Sequence, residues 1–171
     1  MKQITTPISD EEILSLSVGD QVSISGVIFT GRDAALPQLV NLIKEDKLDF
    51  DINGSAIMHT AVSDAGIAPT TSNKEEIEST IPFLSENGVK IHIGKGMLHD
   101  DTIKSLKENN SIFVITPPVA ALLTSKVLKK ECVLFENEGM EAMYKLEVES
   151  IPGIVAVSGG KSIESSDENM L

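Results

Sequence analysis

Three short segments of this chain carry groups that could hold an anion: Gly31-Arg32-Asp33, Pro69-Thr70-Thr71-Ser72 and Gly94-Lys95-Gly96. Arg32 supplies a planar fork that matches a carboxylate, and it is the only arginine among 14 basic residues. Lys95 supplies an ammonium between Gly94 and Gly96, which allow a backbone to approach a ligand closely. Thr70, Thr71 and Ser72 add hydroxyls. Each segment also has a plainer reading. The hydroxyls are ordinary N-cap residues, Lys95 is an exposed turn, Asp33 caps its own helix, and Arg32 is a leftover in a lysine-biased chain. The segments make a site only if the fold carries them to one edge.

The elements that would do so follow from pattern. Ser9 and Glu12 have capping-box spacing, so a short helix over 9–16 is expected. Residues 21–30 read as a strand, with a bulge at Gly26 where the apolar phase changes. A helix to about Asp46 follows, with Leu36, Leu39, Val40 and Ile43 on one face and Pro37 in its first turn. A strand is expected over 55–62, then a helix over 74–87 that Pro82 kinks, with Gly88 just beyond its end. Strand 89–93, helix 99–109, strand 111–115, a helix to about Lys130 and strand 132–136 come next. Alternation over 144–148 and a strand at 154–157 complete the pattern. Alternating strands and helices imply a mostly parallel sheet covered by helices, and the alternating end segments imply a second, small antiparallel sheet. In such a sheet ligands sit beyond the carboxyl ends of the strands, near helix N-termini. All three segments occupy that position.

The composition narrows the partners. The chain has 171 residues, 26 acidic against 14 basic, and a formal net charge of −12. That balance argues against nucleic acid and anionic membrane, both of which select basic surfaces. The length suits one domain, read as 1–162 with a polar acidic tail at 163–171. No apolar run reaches the ~20 residues of a membrane span, and the N-terminus lacks the features of a signal peptide, so a cytoplasmic location is expected. A single cysteine, Cys132, cannot form an internal disulfide or an all-cysteine cluster site, and no metal ligands are assigned to this chain.

Several other features carry little. Gly159-Gly160-Lys161-Ser162 resembles the end of a phosphate-binding loop, but that motif needs glycine where Val155 stands. Cys132 opens an apolar strand and reads as a core thiol. His59, His92 and His99 lack metal-ligand spacing and read as structural.

As an ordered set, the motifs resemble the β subunit, or C-terminal domain, of class I iron–sulfur hydro-lyases, the fumarate hydratases and L(+)-tartrate dehydratases. The matching stretches are Val18-Gly19-Asp20, Ser25-Gly26, Gly31-Arg32-Asp33-Ala34-Ala35, Pro69-Thr70-Thr71-Ser72 and Ile93-Gly94-Lys95-Gly96. Ala120-Ala121-Leu122, Gly139-Met140-Glu141-Ala142-Met143-Tyr144 and Val148-Glu149 continue the series over about 16–162. The resemblance implies a swivelling three-layer β/β/α domain that closes over a 4Fe-4S cluster. It places that cluster on three cysteines of a partner α subunit, in an α2β2 assembly. The expected reaction is reversible hydration of a C4 dicarboxylate, fumarate to malate. A tartrate-type substrate and a divergent, non-catalytic anion-binding paralogue are the alternatives. By match to the family motifs, Thr70 and Lys95 are catalytic, and Arg32, Thr71, Lys74 and Gly94 bind substrate. The chain departs from the family at Leu36, where histidine is usual, at Lys74, where arginine is usual, and at Pro117-Pro118, where the family is glycine-rich.

Overall fold

The computed structural model describes residues 1–70 and 73–163. Strands β1 (Lys2–Thr6), β2 (Gln21–Thr30), β3 (Ser55–Met58), β4 (Val89–Gly94) and β5 (Ile112–Ile115) lie side by side and parallel. They alternate with helices α1 (Asp10–Leu14), α2 (Leu36–Lys44), α3 (Lys74–Glu78), α4 (Ile81–Glu86) and α5 (Asp100–Glu108). Helix α6 (Ala120–Thr124), strand β6 (Val127–Leu134), the 16-residue strand β7 (Met143–Ser158) and the short β8 (Lys161–Ser162) follow. Among the described residues no helix is long and apolar enough to cross a membrane.

The mixed α/β architecture with a sheet of many strands agrees with the pattern. The antiparallel part is not a separate sheet, however. One end of β7 pairs with β2 and β6, and the other continues alongside β5. Sixteen residues at about 3.4 Å each are long enough to span both partners. The strands β2, β3, β4, β5 and β7 therefore close into a ring. Val22, Ile24, Ile28, Met58, Ile91, Ile93, Val114 and Leu146 fill its interior. Outside, α2 and α4 set Leu36, Leu39 and Leu84 against Phe29, Ile57 and Val89. Helix α5 adds Leu106 beside Phe113 and Val157. Strands β3, β4 and β5 are covered on both faces, which is why they read as unbroken apolar runs.

Several local expectations change. The irregular pairing near Gly26 is real, but the extra residue sits on β7, where Ile24 pairs with Ile151 and Gly26 with Val148. Strand β2 keeps its phase; its later half carries apolar residues on both faces because both are covered. Gly26 has φ +105°, and a Cβ there would lie 2.8 Å from the Thr6 carbonyl. Pro82 does not kink one helix but opens a second, falling in the first turn of α4. The helix expected to reach Lys130 stops at Thr124, and Val127–Leu134 is a strand on the edge of the sheet. Cys132 lies on that strand and is exposed, not a core thiol. Strand β1 has no counterpart in the expected elements; it pairs with β2 and buries Ile4 and Thr6. Gly159 and Gly160 form the turn between β7 and β8, both with positive φ, and not a phosphate loop. Ile163 is buried with Leu106, Phe113 and Val157, and residues 164–171 of the polar tail lie outside the described residues.

Candidate functional site

The ends of β2, β3 and β4 are level. Thr30 pairs with Met58, and Met58 with Ile93. The Gly31 N–H donates to the Met58 carbonyl at 3.0 Å, and the His59 N–H to the Ile93 carbonyl at 2.8 Å. Arg32 and Lys95 thus leave β2 and β4, on either side of β3, at equal heights, two strand spacings or about 10 Å apart. The long loop after β3 returns between them, where the Thr70 N–H donates to the His59 carbonyl at 3.1 Å. One edge of the parallel strands therefore carries Arg32, Thr70 and Lys95.

Thr70, Lys74 and Lys95 meet in a narrow cleft with His59, Ile77, Glu78, Leu98 and Phe113. Its volume of about 10 Å³ is room for roughly one water. Gly94, the last residue of β4, packs closely on two residues of this lining: a Cβ there would lie 2.7 Å from His59 Nδ1 and 3.0 Å from the Phe113 ring. Thr71 lies outside the described residues. Arg32 does not line the cleft. Its Nε donates to Glu141 Oε2 at 3.0 Å, and its Nη2 is ion-paired with Glu141 Oε1. The two halves of the edge are joined where Asn73 Nδ2 donates to Asp33 Oδ2 at 2.7 Å.

The two lysines of the cleft differ in kind. Lys95 is exposed and has no ion-pair partner among the described residues. Lys74 donates to Glu78 at 2.8 Å across one helical turn. The Glu78 carboxylate is buried. Burial alone would raise its pKa, but hydrogen bonds from Lys74, from Thr102 Oγ1 at 2.7 Å and from the His99 N–H at 2.8 Å hold it below the ordinary glutamate value. Glu78 thereby caps the N-terminus of α5, whose own N-cap His99 makes no side-chain cap. Helix α3 is only five residues long, so the helix-dipole contribution expected beside Thr70 is small.

His59 sits beneath this arrangement. It is 4% exposed, and Nε2 has no hydrogen-bond partner among the described residues. Burial pushes its pKa down to about 4, so the imidazole is neutral. His92, behind it, is pushed to about 3 by burial and by His59, and its Nε2 bonds Ser85 Oγ at 2.8 Å. Sequence pattern classed His59 as structural and gave Glu78 no role. Nothing in the spacing distinguishes His59, and Glu78 looks like one acid in the polar run Lys-Glu-Glu-Ile-Glu.

Leu36, the departure beside Arg32, is fully buried, and its Cδ2 lies 2.8 Å from where a Gly31 Cβ would be. It seals the floor under the Arg32 loop and offers no polar group. A much larger hollow, about 520 Å³, opens between β6, β7 and the 49–55 loop. Its walls carry Phe29 and Phe50 with Asp49, Asp51 and Glu131 against a single cation, Lys145, and this net acidic, apolar lining has the wrong sign for an anion. The described residues contain no group of three potential metal ligands, and the single cysteine cannot supply three thiolates. This chain's residues do not fit an iron–sulfur cluster on their own.

Residues 2–166 match the family model described as Fumarase C-terminus. A Methanocaldococcus jannaschii protein provisionally named L(+)-tartrate dehydratase subunit beta is 32% identical over 95% of this chain and 91% of its own length. The L(+)-tartrate dehydratase subunit beta of Escherichia coli K12 is 28% identical over 99% of this chain and 86% of its own. A provisionally named class I fumarate hydratase of Geobacillus stearothermophilus is 30% identical over 96% of this chain but only 34% of its own length. The strand-end motifs and this match along nearly the whole chain agree: the protein belongs to the Fumarase C-terminus family.

Proposed function

We propose that this chain is the β subunit of a two-subunit hydro-lyase that adds water to, and removes it from, a C4 dicarboxylate. The observation that carries this reading is the level edge of β2, β3 and β4, which sets Arg32, Thr70 and Lys95 on one side of the molecule. Arg32 would bind a carboxylate of the substrate, and Lys95 would act with Thr70 in catalysis. Thr70 Oγ1 would serve the proton transfer at the carbon next to the departing or entering hydroxyl. Gly94 would let the chain lie close to the ligand, and Thr71 and Lys74 would complete the binding wall. Lys74 acts there mainly through Glu78, which it holds ionised.

The cleft cannot enclose a dicarboxylate by itself, and such chemistry needs water excluded. A second subunit would form the other wall. The names of the tartrate dehydratase relatives, each a subunit beta, support that division. We place the 4Fe-4S cluster on three cysteines of this α partner, in an α2β2 cytoplasmic enzyme, with residues 1–162 forming one swivelling three-layer domain. Fumarate and malate are the leading substrates. Tartrate is the second reading, since the relatives matched over 86% and 91% of their own length carry that name. The apolar Leu36 and the occupied Lys74 favour a third, a paralogue that binds an anion without chemistry.

Co-expression with an α subunit, followed by anaerobic assay of fumarate hydration and L(+)-tartrate dehydration, tests these readings. Turnover of either substrate supports the hydro-lyase. A stable complex that turns over neither would leave the anion-binding paralogue.

A further inference from the structure

The Arg32–Glu141 pair has a specific geometry. Nε and Nη2 form one edge of the guanidinium, and Glu141 engages that edge with both carboxylate oxygens. A guanidinium has five N–H donors. The pairing uses one on Nε and one on Nη2, and leaves those that point along the Nη1–Nη2 edge. That second edge also fits a carboxylate with two parallel bonds.

Glu141 is held by backbone. It ends the short 3-10 segment Glu136–Glu141. The Val62 N–H donates to the Met140 carbonyl at 2.9 Å, and the Tyr144 N–H donates to Thr30 Oγ1 at 3.1 Å. Thr30 lies two residues before Arg32. The chain is thus tied on either side of Glu141, through Met140 to the loop after β3 and through Tyr144 to the end of β2 that carries Arg32.

We propose that Glu141 is a positioning residue for Arg32, holding the guanidinium by its Nε edge so that the Nη1–Nη2 edge meets a carboxylate of the substrate. This rests on the reading of Arg32 as a substrate ligand. Glu141 itself touches no substrate. A blocking role for Glu141 has the opposite sign: removing a positioning group weakens carboxylate binding, and removing a blocking one strengthens it.

The test is calorimetric binding of succinate to the co-purified αβ assembly. Succinate is a C4 dicarboxylate that can be neither hydrated nor dehydrated, so no turnover is needed. Glu141→Gln should raise the Kd for succinate at least about tenfold, with the melting temperature within about 2 °C of wild type. In an Arg32→Lys background the same change should alter Kd by less than about twofold, because no fork remains to be held. Arg32 is the only arginine of this chain, so 15N-arginine labelling of this chain alone, assembled with unlabelled α subunit, gives one side-chain Nε signal. That signal should shift and exchange faster with solvent in Glu141→Gln. An unchanged or tighter Kd, or an equal effect in both backgrounds, overturns the proposal. Succinate binding that depends on Glu141, in an assembly that turns over neither fumarate nor tartrate, supports this inference and removes the hydro-lyase reading. Turnover with binding indifferent to Glu141 does the reverse, and a wild-type assembly that binds no succinate overturns this inference whether or not it turns over fumarate or tartrate.

Discussion

Gly94 leaves the space that His59 occupies: a Cβ on Gly94 would stand 2.7 Å from His59 Nδ1. The last residue of β4 and the first beyond β3 are therefore coupled across the sheet. The coupling reaches the cleft, since the His59 carbonyl also receives the Thr70 N–H. Both neighbours of this contact are stiff, one a backbone and the other a ring packed 6.3 Å from Phe113. Gly94→Ala should cost about 1–3 kcal/mol, the usual range for overpacking a filled interior. Urea unfolding of the variant checks this. Unchanged stability would show that His59 has room to move aside.

The same histidine makes stability depend on pH. Its folded pKa of about 4 lies below the unfolded value of 6.5. The unfolded chain therefore binds the proton first, and stability is lost as pH falls from about 6.5 toward 4. His92, at about 3, acts in the same direction. Replacing His59 by Asn should reduce the slope of unfolding free energy against pH in this window by about one proton, or roughly 1.4 kcal/mol per pH unit. Parallel slopes for wild type and His59→Asn would mean that the ring is hydrated in the folded protein.

Glu78 contributes at lower pH and with the opposite sense. Its folded pKa is depressed, so the stability it adds is present above the unfolded value of 4.5 and is lost as pH falls through the lower folded value. Wild type should exceed Glu78→Gln by a constant margin near neutrality, and the margin should shrink below about pH 4.5. Thermal melts between pH 3 and 7 measure it. A margin that grows on acidification would mean that Glu78 is protonated in the fold.

Much of this edge could be read in the sequence, because each segment joins a strand to a loop within a few residues. Gly31-Arg32-Asp33 follows β2 directly and Gly94-Lys95-Gly96 starts on the last residue of β4, so parallel pairing brings them level. What could not be read is who holds each group. Glu141 is 109 residues from Arg32, and Glu78 is 24 from Thr102. No local spacing encodes either pair. The misread stretch, 125–130, has a local cause. Its apolar residues fit a helical face, but only Ala120–Thr124 forms a helix. Strand β6 then gains its partner from β7, with Cys132 opposite Tyr144. Tertiary pairing overrode the period, and it turned Cys132 outward on an edge.

The two lysines of the cleft should separate catalysis from stability. Lys95 is exposed, carries no ion pair among the described residues and stands just past the end of β4 beside Thr70. Its charge is available to a ligand and supports little else in the fold. Lys95→Gln should lower kcat/KM of the assembled enzyme at least about tenfold, equivalent to roughly 1.4 kcal/mol of lost transition-state stabilisation, while the melting temperature stays near wild type. Lys95→Arg, which keeps the charge, should recover part of that loss. Lys74 is the converse. Its ammonium is one of three donors to the buried Glu78 carboxylate, which also organises the start of α5. Lys74→Gln leaves that carboxylate with two donors and should cost about 1–3 kcal/mol of stability. Its effect on kcat/KM should follow from any loosening of α3 and α5 and so be relieved by Glu78→Gln in the same chain, which removes the orphaned charge. Lys95→Gln should not be relieved by Glu78→Gln. If the two lysines respond alike, lowering activity equally with no change in stability, both ammonium groups face the ligand, and the Lys74–Glu78 pair is incidental to the fold.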